Sequence, residues 1–88
     1  MNEVAVGAEP VDFRLLGELR DVTTIARGRG VRIRQYLQDT HGGRNWRKLK
    51  AVARIGHDDG YIGDAEIHWF EGHGVGRVGW KVKRKLEA

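Results

Sequence analysis

The sequence predicts an α+β fold, with one or two N-terminal helices packed on a three- to four-stranded antiparallel sheet. Three observations lead there. Residues 65–84, AEIHWFEGHGVGRVGWKVKR, hold two alternating runs separated by a glycine-rich turn, the pattern of an antiparallel hairpin. Residues 49–55 alternate in the same way, with Leu49, Ala51, Ala53 and Ile55 on one side and Lys50, Val52 and Arg54 on the other. Upstream, two stretches carry helix-like spacing, and a three-stranded meander needs such elements to cover its apolar face.

Taken in order, residues 1–10 lack periodicity and end at the only proline, Pro10, so they read as a flexible lead-in to a single domain over 11–88. Asp12 is placed to cap a short first helix whose apolar stripe is Phe13 and Leu16, extended by Leu15 and Leu19, against the presence of Gly17. Residues 21–26 contain Val22, Thr23, Thr24 and Ile25, a β-branched cluster suited to a short strand. The Arg27-Gly28-Arg29-Gly30 run then breaks the chain into a turn. A second helix is predicted over 31–40, with Ile33, Tyr36 and Leu37 facing the core, and His41-Gly42-Gly43 stops it. His41 there has a structural role beside the helix dipole. Asn45 caps a brief turn through Trp46 and Lys48, and the turn formers of residues 56–64 link the second-last and third-last strands.

Composition narrows the function classes. The chain has 88 residues, no cysteine and a formal charge of +4. Disulfides and thiolate zinc sites are therefore excluded. The first twenty residues carry four acids and no long apolar run, which points away from a signal peptide and toward the cytoplasm. No stretch approaches a membrane span, so no membrane partner is expected. The charges are segregated: residues 22–57 hold nine Arg or Lys against one acid, whereas residues 58–71 hold five acids and no Lys or Arg. Such segregation suits a polyanionic partner, and a solvated surface is its plain alternative.

In the hairpin, Ala65, Ile67 and Trp69 share a face, as do Val78, Trp80 and Val82, which leaves Glu66, His68, Arg77, Lys81 and Lys83 pointing outward. With Arg54 these make a set suited to metal-independent RNA cleavage, which needs proton transfer at the 2′-OH and the leaving 5′-oxygen, and cations for the phosphoryl oxygens. His68 is the candidate general acid or base, Glu66 or Glu71 its partner, and His73 a second acid. Arg54, Arg77, Lys81 and Lys83 hold phosphate, while Phe70 and Tyr61 are stacking surfaces. Arg27, Arg29, Arg32, Arg44 and Arg47 are backbone-contact candidates that predict salt-dependent binding. The plain alternative is a solvated sheet face in which Glu66 pairs with Lys81. A non-catalytic module for nucleic acid or an acidic protein is the other functional reading.

Several motifs carry no weight. Residues 74–79 match G-x-G-x-x-G, but a strand and only nine residues follow, too few for a dinucleotide-binding unit. His57, Asp58, Asp59 and Asp64 lack calcium-loop spacing, so neither a metal nor another cofactor is expected.

The run HWFEGHGVG (residues 68–76), the later KVKR (81–84), and upstream IARGRGVR (25–32) and NWRKLKAVA (45–53) resemble a group of short bacterial proteins and toxin-like C-terminal modules. Their signature is His-Trp-aromatic-Glu-x-His-Gly-x-Gly with a basic final strand. Here it is matched by His68, Trp69, Phe70, Glu71, His73, Gly74 and Gly76, with Phe70 standing where tyrosine is expected. The architecture is similar to that of the barnase, colicin and RelE-type ribonuclease toxins. The resemblance implies an RNA-cleaving toxin acting on RNA such as tRNA or ribosome-associated mRNA, neutralised by an acidic antitoxin or immunity protein.

Overall fold

The structure, a computed structural model, describes residues 12–86. The expected lead-in over 1–10 lies outside them. Strand β1 (Phe13–Leu15) is followed by β2 (Arg20–Arg27), a 3-10 turn over Gly28–Gly30, helix α1 (Arg34–His41), β3 (Arg44–His57), β4 (Ile62–His73) and β5 (Gly76–Lys85). All strands are antiparallel. β3 is the hub: β4 runs along one edge, β1 and β2 share the other end to end, and β5 completes the sheet beside β4.

Among the described residues the fold is therefore a five-stranded antiparallel sheet carrying one short helix between β2 and β3, and the expected one or two N-terminal helices packed on a three- to four-stranded sheet are not there. The segment behind Asp12 is an edge strand, with Phe13, Arg14 and Leu15 paired to His57, Gly56 and Ile55. Its helical stripe could form only a single weak turn around Gly17, and isolated helices this short do not sustain themselves in water. Ladder bonds to β3 and the burial of Phe13 favour the extended form. The second expected helix exists, shifted to start at Arg34. Only Leu37 of its expected core stripe is buried; Ile33 and Tyr36 are exposed. The predicted turn after Asn45 is instead a bulge within β3, where Asn45 takes φ +57° and the register with β4 slips between Arg44 and Arg47.

Two apolar clusters result. Leu49, Ala51, Ala53 and Ile55 of β3 meet Ala65, Ile67 and Trp69 of β4 as the sequence alternation requires, with Trp80 and Val82 packed against them. The Trp69 and Trp80 rings stack at 4.8 Å. The second cluster lies at one end of the opposite face, where Val31 and Leu37 cover Trp46 and Val78. Trp46 sits so close over the sheet that a Cβ on Gly72 would stand 2.7 Å from its ring, so the backbone must be bare there.

Val78 belongs to this second cluster and not with Trp80, contrary to the strict alternation read from the sequence. A bulge at Gly79 is the cause. Val78 pairs with Phe70 and Lys81 with His68, so two residues of β5 oppose the single Trp69 of β4. Gly79 takes φ +70°, which side chains rarely adopt, and everything before it is turned to the other face.

Candidate functional site

Paired residues in an antiparallel ladder point to the same side, so the register gives the composition of each row across the sheet. On the polar face, one row reads Thr23, Lys50, His68, Lys81 and the next Arg20, Val52, Glu66, Arg84. On the other face, beyond the apolar cluster, a row reads Arg27, Arg47, Glu71, Arg77. Each face therefore has one carboxylate within these three rows, Glu66 on the polar face and Glu71 on the other.

In the polar-face pair of rows, the His68 Nε2–H donates to Glu66 Oε2 at 2.7 Å, and Arg84 donates to Glu66 Oε1 through Nη2 at 2.9 Å and Nε at 3.2 Å. His68 is the only buried polar or charged residue among those described. The hydrogen bond from His68, and then the Arg84 guanidinium, hold the Glu66 carboxyl below the usual carboxylate range. With Nε2 protonated toward Glu66, Nδ1 carries the lone pair of the neutral ring. The arrangement is a carboxylate that orients an imidazole, with Lys50 on one flank and Lys81 on the other. One step along, Lys48 lies 5.7 Å from the centre of the half-buried Phe70 ring.

The row on the other face is built on Glu71. Its Oε1 accepts from Arg47 Nη2 at 2.6 Å, and its Oε2 accepts from the Trp69 indole Nε1–H at 2.9 Å and Arg77 Nε at 3.2 Å. Arg77 also stands 5.7 Å from the centre of the Trp69 ring. Two arginines thus bond a single carboxylate, and a third, Arg27, stands beside Arg47 in the same row. This row opens into a cavity of about 460 Å³ at the end of the sheet, bordered by Arg27, Asn45, Trp46, Arg47, Glu71 and His73.

The residues expected to act together are thereby divided. Glu66, His68 and Lys81 share the polar face, and Arg54 lies further along it opposite Asp64. Arg77 and Glu71 are on the other face, so neither can join His68 in one active site. The bulge at Gly79 explains Arg77, and the alternation of β4 itself separates Glu71 from His68. His73 ends β4, exposed, in register with Arg44. The expected Glu66–Lys81 ion pair is replaced by Glu66–Arg84. A second register shift, between Glu66 and Ile67, sets it: Val82 opposes Ile67 and Arg84 opposes Glu66, leaving Lys83 as the extra, exposed residue. Arg29 and Arg32 are exposed on the connection before α1. Sequence reasoning passed over Lys50 and Arg84. The β3 alternation already put Lys50 on the side of Arg54, whereas no local signal marks the shift that delivers Arg84.

No three His, Asp or Glu side chains among the described residues converge as a metal site. In the turn between β3 and β4, Asp59 is engaged by Lys85 and by the Tyr61 backbone N–H, which hold its carboxyl below the usual range. No described helix is long and apolar enough to cross a membrane. Compared with protein-family models, with curated proteins and with solved structures, the chain matches none.

Proposed function

We propose that the chain binds single-stranded RNA across the polar face of its sheet. The supporting observation is the cross-strand row in which Lys50 and Lys81 flank His68, with Glu66 in the next row already occupied by His68 and Arg84. Phosphates would lie on the two lysines, with Arg54 further along, and a splayed base on Phe70 beside Lys48. An acidic protein, such as an antitoxin or immunity partner, would compete for the same cations. The reading places the chain in the cytoplasm.

The test is fluorescence anisotropy with a labelled single-stranded RNA over a range of salt concentrations. Affinity should fall steeply with salt, and Lys50→Ala or Lys81→Ala should each flatten the log–log slope by about 1. Absence of binding at low salt would end this reading.

A second reading, metal-independent RNA cleavage by a toxin, is favoured by the Glu66–His68 contact, in which a carboxylate sets the tautomer of an imidazole. Glu71, His73 and Arg77 are no longer its partners, so the second proton-transfer group would have to be Lys50, Lys81 or the RNA itself. Incubation with total RNA in chelator should give discrete products that disappear in His68→Ala. Intact RNA after prolonged incubation with protein that binds it leaves the binding module alone.

A further inference from the structure

The cavity at the end of the sheet offers a donor-rich wall that the polar-face reading does not use. Three chain segments supply most of it: the end of β2 with Arg27, the start of β3 with Asn45, Trp46 and Arg47, and the end of β4 with Glu71 and His73. Arg27 and Arg47 are Cα partners, so two like charges are held directly opposite one another. That placement is unfavourable unless an anion sits between or beside them. Glu71 answers only part of the charge, because Arg77 shares it from the other side.

The polarity of the wall decides the ligand class. Both Glu71 oxygens already accept hydrogen bonds, from Arg47, Trp69 and Arg77. Arg27 has no carboxylate partner among the described residues, and Arg47 uses a single guanidinium nitrogen on Glu71. Trp46 borders the cavity, but its Nε1–H is enclosed with its ring in the second apolar cluster, so the guanidinium groups are the donors this wall offers. A cation would find no free carboxylate oxygen here. An oxyanion would find guanidinium forks suited to bidentate contact. The volume of about 460 Å³ lies in the range of small-ligand sites.

We propose that this cavity binds a phosphomonoester, with Arg27 and Arg47 on the phosphate oxygens and Glu71 holding Arg47 in place. The site is separate from the polar face and does not rest on RNA binding there. A phosphomonoester reaches it either as a free nucleotide or as the 5′ end of a strand.

The experiment is a titration followed by 15N NMR, reading the three indole N–H signals, with that of Trp46 assigned through Trp46→Phe. The ligands are inorganic phosphate, a nucleoside 5′-monophosphate, the corresponding nucleoside, and one RNA oligonucleotide with and without its 5′-phosphate. The Trp46 indole signal should move with the monophosphate and not with the nucleoside. Arg27→Ala, at an exposed strand end, should weaken the monophosphate about tenfold, a typical loss for one charge-assisted contact, while Lys81→Ala leaves it unchanged. A 5′-phosphate advantage of the oligonucleotide that is lost in Arg27→Ala identifies the strand end as the source. Binding of the free monophosphate without such an advantage identifies the nucleotide. Equal response to nucleoside and monophosphate, or equal weakening by Arg27→Ala and Lys81→Ala, would overturn the proposal. Failure of the unphosphorylated oligonucleotide to bind bears on the polar face and leaves this site standing.

Discussion

Glu66 and Glu71 sit five residues apart on the same strand, each bridging to an arginine of β5, yet they build different devices. Glu66 takes an imidazole and one guanidinium in the middle of the polar face. Glu71 takes two guanidinium groups and an indole N–H at the margin of the apolar cluster. The odd spacing places them on opposite faces of the strand. The bulge at Gly79 then delivers Arg77 to Glu71, and the later shift delivers Arg84 to Glu66. A one-residue slip in β5 would take both arginines out of register with these carboxylates, so the comparison shows how the position of a bulge assigns charge to a face.

The largest expected effect comes from breaking the better-satisfied carboxylate. Glu71→Ala leaves two guanidinium groups facing each other and the N–H of fully buried Trp69 without an acceptor. A loss of about 2 kcal/mol is expected, because unpaired groups at a half-buried site lose their hydrogen bonds without regaining full solvation. Urea unfolding of wild type and variant measures it, and a loss no larger than that of Arg77→Ala would show that Arg47 and Trp69 do not depend on Glu71.

Gly79→Val comes next. Its Cβ would meet the Phe70 ring at 3.0 Å in a backbone conformation that β-branched residues avoid. The expected cost is about 1–2 kcal/mol, with loss of the Trp69–Trp80 stacking signal in near-ultraviolet circular dichroism. An unchanged spectrum and midpoint would mean that β5 runs without this bulge.

The Glu66 contact is checked through pH. Its folded pKa is lowered below the ordinary 4.5, first by the hydrogen bond from His68 and then by Arg84. Its stabilising contribution is therefore complete above that value and is lost as pH falls through the lower folded value. Between pH 6 and pH 3 the melting temperature of the wild type should drop more steeply than that of Glu66→Gln. Parallel curves would mean that the Glu66–His68 contact does not persist in solution.

The smallest effect belongs to Arg84→Ala. The Arg84 side chain is 69% exposed, and an ion pair in such a setting contributes about 0.5 kcal/mol or less. Thermal melting at low and high salt should separate the variant from wild type only marginally. A drop as large as that of Glu71→Ala would remove the distinction between the two carboxylates.

Much of the sheet was legible because β3 and β4 are buried on one face and keep a clean period of two. Leu49, Ala51, Ala53, Ile55, Ala65, Ile67 and Trp69 all occupy the side that their spacing assigns. The site was legible only where it stays inside that regular ladder, as for Glu66 and His68. It was misread before Gly79, at Arg77 and Val78, and again at Lys83 and Arg84, because the pattern of β5 looks continuous in sequence and a bulge leaves the alternation on either side of it plausible. Trp46 was read as part of a turn although it anchors the second cluster, since Asn45 signals a turn and a bulge with the same residue type.

By itself, the sequence determines the polarity of the central strands, the hairpin turn at Gly74, the short helix ended by Gly42 and the crowding of arginines between β2 and β3. These are local consequences of side-chain period, turn chemistry and charge. Tertiary structure alone decided that the segment after Asp12 is extended, that Arg77 lies with Glu71, and that Arg27 and Arg47 are brought side by side. Those outcomes depend on which strand each residue meets, and ladder pairing across long sequence separations overrides weak local preference.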